Sequence, residues 1–187
     1  MSFFEQLKQV DFWLFNKINH EWTNSLFDLY FPAITDLHKN PIALLVFAFG
    51  IAFWIKQKKK RAAIYLLAMV LSIGASDLIS YRVIKAHVQR ERPQYSGIAV
   101  DLRTHQHSGS SFPSNHSANI FAAATVLTLY SPPLWPFYFF IAGSVAYSRV
   151  YVGVHFPFDV LAGAFIGTCI ALLIYRIFRK WLRPNSA

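Results

Sequence analysis

One cysteine, Cys169, stands in 187 residues, inside an apolar run. A lone thiol excludes a disulfide framework and any metal site built on several thiolates. It is read as a small buried apolar residue. Charge is scarce too. Charged residues make up 14% of the chain, against about a quarter in an ordinary soluble domain. No internal repeat or low-complexity segment is visible. The first 22 residues mix polar and apolar positions without a compact apolar core, so no cleavable signal is expected.

What the chain has instead is apolar surface. Hydrophobic residues reach 55% and aromatics 17%, and the mean hydropathy is +0.33. This composition implies an all-α polytopic membrane helix bundle, folded as a single domain over residues 1–187. Apolar residues at Phe3, Leu7, Val10, Leu14 and Ile18 keep roughly helical spacing, so residues 1–22 are expected as an amphipathic helix in the membrane interface. About six transmembrane helices follow: Leu26–Leu37, Pro41–Ile55, Ala62–Ile84, Asn115–Tyr130, Leu134–Tyr147 and Pro157–Phe178. Several fall short of the roughly 20 residues that a span needs, so flanking polar residues are expected to extend them. Pro132-Pro133 closes the fourth, and Pro157 suits the first turn of the sixth. The long connection, residues 86–113, has the length of a functional loop.

The net charge of +9 does not signal nucleic acid. Five of the 18 Lys+Arg fall in the run Lys56 to Arg61, between two apolar stretches, and Arg176, Arg179, Lys180 and Arg183 close the chain. These are positions where cations mark the cytoplasmic side. With six spans, both termini are expected there, and the long loop on the opposite, extracytoplasmic face. That loop is itself basic (Arg90, Arg92, Arg103), against the trend. An anion site on that face explains the exception.

Three polar clusters converge on that face. The first is Lys85 with Arg92-Pro93. The second is Pro113-Ser114-Asn115-His116. The third is Ser148-Arg149, His155 and Asp159. Phosphoryl transfer is largely a matter of positioning and charge stabilisation. Lys85, Arg92 and Arg149 supply fixed cations, the first two separated by two helical turns and so able to share a face. Ser114 occupies the N-cap position of the fourth span, where free N–H groups attract anions. His116 is placed to protonate a leaving oxygen. Asp159 can reach back to one nitrogen of His155 and leave the other as a nucleophile. Asp77, inside the third span, either orients a cation of the site or pairs with another polar residue. His87, His105 and His107 are read as solvated loop residues.

Together the clusters resemble the type 2 phosphatidic acid phosphatase (PAP2) superfamily, whose pattern is K-x6-RP, PSGH and SR-x5-H-x3-D. The first and third match fully, and Asn115 replaces the glycine of the second. The resemblance implies a PAP2-like membrane phosphatase. His155 forms a phosphohistidine, Asp159 supports it and His116 acts as acid. Lys85, Arg92, Ser114, Asn115 and Arg149 bind the phosphoryl group. No metal and no cofactor are implied. The partners implied are the bilayer and a phosphorylated membrane lipid. Candidates are undecaprenyl pyrophosphate, favoured slightly, and phosphatidylglycerophosphate, lipid A phosphate or phosphatidate, with a lipid phosphotransferase as a variant. The small chain and short loops suggest a bacterial inner membrane. The reading from a different class is a non-catalytic protein that binds anionic lipid or transports a phosphorylated solute. It would put paired polar residues deep in several spans.

Overall fold

A computed structural model describes residues 2–37 and 40–182. Six helices carry the architecture, and no strand occurs among the described residues. They are α1 (Phe3–Asn16), α2 (Ser25–Thr35), α3 (Pro41–Leu78), α4 (Asn115–Tyr130), α5 (Trp135–Tyr151) and α6 (Pro157–Leu182). Helix α1 runs on through a π-helical turn, Lys17–Glu21, and α3 through another, Ile79–Ile84, to a last turn ending at His87.

The sequence closes each helix for visible reasons. Ser2 and Asn24 cap α1 and α2 by accepting the N–H of Glu5 and Phe27. Ser114 caps α4, accepting from Ser117 N. Pro132 and Pro133, which cannot continue a helix, break α4 from α5. Gly153, with φ +85°, turns the chain after α5.

The core of the bundle is the crossing of α4 on α6, flanked by α3, which packs on both. Small residues allow it. A Cβ added at Gly163 would stand 2.4 Å from Ser114 O, and one at Gly167 would stand 2.0 Å from Ala118 O. Ala118 and Ala122 are fully buried opposite. Close backbone approach over small residues is the usual way for membrane helices to associate, since lipid offers no hydrophobic drive between them. The crossing also ties Ser114 N to Asp159 O at 2.9 Å, and Ser117 Oγ to Val160 O at 2.6 Å. The start of α4 is thereby registered on the start of α6.

Two apolar clusters lie along the bundle. Phe15, Phe31, Val150, Tyr151, Val154 and Phe156 pack at the end where α6 begins. Tyr65, Met69, Ala122, Val126 and Ala171 pack further along. Large apolar side chains such as Leu71, Phe140, Phe165 and Leu173 point outward. A soluble protein would not leave so many exposed, whereas lipid accepts them.

The fold departs from the sequence reading in three places. The second and third expected spans are one helix. Residues 51–73 contain neither glycine nor proline, and the Lys, Gln, Arg and Ala between the apolar stretches are strong helix formers, so the basic run lies within α3. Two stretches are long and apolar enough to cross a membrane among the described residues, Ala62–His87 and Pro157–Trp181. The remaining helices are shorter. Second, Cys169, read as buried, is exposed on α6. Helix α1 buries Asp11, Phe15 and Ile18, with Asn19 following, and leaves Phe3 and Val10 exposed. Third, α1 and the basic end of α6 do not lie at one end of the bundle. Helix α1 packs where α6 begins, and Asn19 bonds Asp101 and Tyr151 O there. The basic end of α6 lies about 30 Å further along its axis at Arg179.

Gly167→Val should lower the melting temperature in detergent, as over-packing of a tight contact costs about 1–3 kcal/mol. Gly74→Ala, whose added Cβ meets nothing within 4 Å, should leave it unchanged or raise it slightly.

Candidate active site

A cavity of about 610 Å³ opens between the end of α3, the loop 107–110, the start of α4 and the turn after α5. Lys85, Arg92, Asn115, His116, Arg149 and His155 all line it. Six of the eight residues proposed from sequence therefore meet at one wall. The other two, Ser114 and Asp159, are fully buried just behind it.

His155 sits on the tight turn between α5 and α6. Its own N–H and that of Val154 both donate to Arg149 O, at 3.2 Å. Only glycine fits at position 153, where a Cβ would meet Val100 Cγ1 at 2.6 Å. The imidazole is 3% exposed. Arg92 Nη1 stands 3.3 Å from its Nε2. A guanidinium can only donate, so Nε2 is the acceptor and the ring proton belongs on Nδ1. Nδ1 faces Ser111 Oγ at 3.4 Å and Asp159 Oδ2 at 3.5 Å. Burial pushes the His155 pKa down to about 3, with Arg92 and Arg149 adding to the fall and Asp159 opposing it. The ring is therefore neutral near pH 7, and its Nε2 lone pair points to the cavity side.

Asp159 is held from several directions. Oδ2 accepts the Phe156 N–H at 2.8 Å and the Ser111 hydroxyl in a short bond. Oδ1 accepts from Arg90 Nη1 at 2.8 Å. A buried carboxylate needs such partners, because desolvating an unpaired charge is very costly.

Lys85 and Arg92 are fixed mainly by backbone carbonyls of the long loop, and Arg149 by a hydroxyl of α2. Lys85 Nζ donates to Ser110 O at 2.7 Å. Arg92 donates through Nε to Gly109 O at 3.1 Å and through Nη1 to Val154 O at 3.0 Å. By spacing alone the two could share a helix face. The helix instead ends at His87 and Arg92 is extended, at φ −78°, ψ 157°, as the proline after it favours. They meet because both reach Ser110 O. Arg149, 1% exposed, donates to Thr35 Oγ1 of α2 at 2.7 Å.

Ser114 spends its hydroxyl on the cap of α4 rather than facing the cavity. Asn115 is the first residue of that helix, so its backbone needs no left-handed conformation. Its Nδ2 donates to Asp77 Oδ1 at 2.8 Å, and Asn119 Nδ2 lies 3.4 Å from the same oxygen. Asp77 thus pairs with amides of α4, within electrostatic reach of Lys85.

The structure adds residues that were assigned no part in the site from sequence. His107 lines the cavity, with Nε2 3.4 Å from Arg149 Nη2, where it was expected to be solvated. Ser111, Arg90, Asp11 and Thr35 support the reacting pair or its cations. Arg90 lay in plain view two residues before Arg92. Nothing in the sequence links it to Asp11 or Asp159.

A helical bundle that sets a buried, carboxylate-backed histidine beside a cavity lined by Lys85, Arg92 and Arg149 has the parts to hold an anion such as a phosphoryl group. Comparison with known proteins makes this specific. The PAP2 superfamily model matches residues 61–183, and the chain belongs to that superfamily. It is 31% identical over 128 residues to a lipid A 4'-phosphatase of Bacteroides thetaiotaomicron, covering 65% of this chain and 57% of that protein. It is 33% identical over 119 residues to phosphatidylglycerophosphatase B of Bacillus subtilis, covering 58% and 55%. An undecaprenyl-diphosphatase of Sulfolobus acidocaldarius is 44% identical over a shorter stretch, 68 residues, covering 36% of this chain and 33% of that one. The chain thus spans roughly half the length of the first two relatives and a third of the last. Among solved structures, Aquifex aeolicus LpxE superposes with a TM-score of 0.71 at 27% identity, covering 89% of this chain and 95% of that one. A PAP2-type phosphatidylglycerolphosphate phosphatase of Bacillus subtilis gives 0.70 at 25%, covering 97% and 90%. These relatives and the two long apolar helices make the chain an integral membrane protein.

His155 also ties stability to pH. An unfolded histidine binds its proton near pH 6.5, but the folded one resists it down to about pH 3. The unfolded state then holds more protons in that window, so stability falls as pH falls. His155→Gln should flatten the decline of melting temperature in detergent between those two values.

Proposed function

We propose that the protein is a lipid phosphatase that works through a phosphohistidine. The observation that carries this is His155 itself. It is neutral and buried, with Nδ1 toward a carboxylate and Nε2 toward a cavity lined by Lys85, Arg92 and Arg149.

The cations bind the phosphoryl oxygens, displacing Arg92 from Nε2. Nε2 attacks phosphorus as the P–O bond to the lipid breaks, and the electron pair leaves on the lipid oxygen. His116 protonates that oxygen. The imidazole gains positive charge as the N–P bond forms, and Asp159 stabilises it through Nδ1–H. Water then attacks phosphorus and passes a proton to His116. The N–P bond breaks with its electron pair returning to Nε2, and phosphate leaves. N–H groups at the start of α4 add to the oxyanion environment.

The substrate is a phosphorylated membrane lipid. Its tails stay in the bilayer while the head group reaches the cavity, whose wall includes the exposed Tyr81 and Ala86 of α3. An isoprenoid pyrophosphate such as undecaprenyl pyrophosphate is favoured; lipid A, phosphatidylglycerophosphate and phosphatidate are the other arms of the test. The site faces the extracytoplasmic side of a bacterial inner membrane. Arg61 and Lys85 are separated by about 36 Å of helix, and α6 places Asp159 and Arg179 at opposite ends likewise. Both basic segments therefore lie at the end remote from the cavity, where the positive-inside rule puts the cytoplasm. Helix α1 lies on the cavity side.

Purified protein in detergent should release phosphate from at least one of these lipids with EDTA present, because fixed cations supply the charge that a metal would. His155→Ala should abolish release while the protein stays folded. Strict dependence on added Mg²⁺, or near-wild-type turnover by His155→Ala, would overturn the mechanism. His116→Ala should do least harm with good leaving groups, which need no proton.

Orientation is tested with single cysteines in a Cys169→Ser background. Ser108→Cys, at the cavity rim, should react with an impermeant thiol reagent on intact cells. Gln57→Cys should react only after the membrane is opened. The reverse pattern would place the site in the cytoplasm.

A further inference from the structure

Behind His155, away from the cavity, the charges do not stop at Asp159. Arg90 forks between two buried carboxylates. Its Nη1 donates to Asp159 Oδ1 at 2.8 Å and its Nη2 to Asp11 Oδ2 at 2.5 Å. Asp11 is 1% exposed and Asp159 fully buried. The other oxygen of Asp11 accepts the Phe158 N–H at 2.8 Å, so α1 grips the first turn of α6 directly. Arg90 Cζ lies 4.1 Å from the ring centre of Phe156, and Phe12 stacks on that ring's vicinity with centroids 5.0 Å apart. The residue between His155 and Pro157 is thus clamped by α1 and by Arg90 together. Asp11 lies outside residues 61–183, the part of the chain that the family model matches.

We propose that Arg90 and Asp11 are positioning residues for the reaction: Arg90 divides its charge between Asp11 and Asp159, and this division sets both the orientation of Asp159 and how strongly it draws on the His155 proton. Neither residue lines the cavity, so both act through Asp159. A carboxylate bonded to the Ser111 hydroxyl, the Phe156 N–H and a guanidinium cannot swing toward or away from the imidazole. A guanidinium shared with a second carboxylate cannot collapse fully onto the first. Lysine could hold one of the two carboxylates but not both in this forked geometry.

The inference rests on the histidine–carboxylate reading above, and the experiment separates the two. Kinetics are measured on the full-length protein in detergent with a short-chain phosphatidate, or whichever lipid phosphate of the panel is turned over, across a pH series. The other charged groups around the network stay in place: Arg92 and Arg149 toward His155, Lys85 on α3, and Lys8 and Glu91 beside Arg90. Misplacing a reacting group by about 1 Å can cost on the order of 100-fold. Arg90→Gln should approach that loss in kcat, and Asp11→Asn should lose about tenfold, both with KM near the wild-type value. Arg90→Lys should fall between wild type and Arg90→Gln.

The decisive readout is the acid limb of kcat/KM, because a merely structural role would lower the active fraction without moving it. In Arg90→Gln the carboxylate of Asp159 is no longer shared with a cation. It holds the imidazole proton more strongly, and the limb moves to higher pH. In Asp11→Asn the guanidinium charge acts undivided on Asp159, and the limb moves to lower pH. Opposite movements support the proposal. Unmoved limbs, movement in one common direction, or a loss confined to KM overturn it. Should Arg90→Gln not fold, Asp11→Asn decides alone, since its amide can still accept from Phe158 N–H: a limb at lower pH supports the proposal and an unmoved one overturns it. If Asp159→Asn and His155→Ala keep their activity, the histidine–carboxylate reading itself has failed. If they lose it while the Arg90 and Asp11 variants match wild type, only the positioning network has failed.

Discussion

The carboxylate of Asp159 is the constraint around which this end of the molecule is organised. It is a charge with no access to water, and an unpaired charge there would be untenable. Its partners come from every side: Ser111 and Arg90 from the long loop, Phe156 N–H from the turn, and His155 beyond. Each partner fixes the segment that bears it. The same bonds that make the buried charge tolerable thus shape the loop and orient the imidazole, which its burial keeps neutral. Removing one partner of such a network is far more harmful than the worth of its single bond.

That carboxylate can be where it is because α4 and α6 touch backbone to backbone. Gly163 and Gly167 face Ser114 O and Ala118 with no room for a Cβ. The contact sets the start of α4 beside the start of α6, with Asn115 and His116 on one side of the cavity and His155 on the other. A packing choice made inside the bilayer, where small residues substitute for hydrophobic drive, therefore fixes the distance between the general acid and the nucleophile proposed here. Lys85 and Arg92 are placed differently, mainly by carbonyl groups of the loop that follows α3. Lys85, Arg92 and the loop hold one another, so the loop does not need secondary structure of its own to be ordered.

Helices α1 and α2 lie outside the matched family segment, yet both touch the site from behind. Thr35 of α2 holds Arg149 and Asp11 of α1 holds Arg90. An apolar stripe on α1 does not reveal that Asp11 lies at the centre of its buried face. Its burial is tolerable only because Arg90 and the Phe158 N–H await it.

The sequence by itself determined the family and the residues of the proposed site. Lys85, Arg92, His116, Arg149, His155 and Asp159 are recognisable because their types and short spacings repeat a pattern, and the apolar composition determined an all-helical membrane bundle. Helix limits set by local signals were legible too: the Ser114 cap, the proline pair after Tyr130 and Pro157 at the start of α6. Only the tertiary structure decided the rest. That Asp77 pairs with Asn115, that His107 lines the cavity and that Asp11 and Arg90 back Asp159 all depend on contacts between residues 38 to 79 positions apart. Such pairings carry no local spacing, since they are selected by the whole packing of the bundle and by the need of each buried charge for a partner.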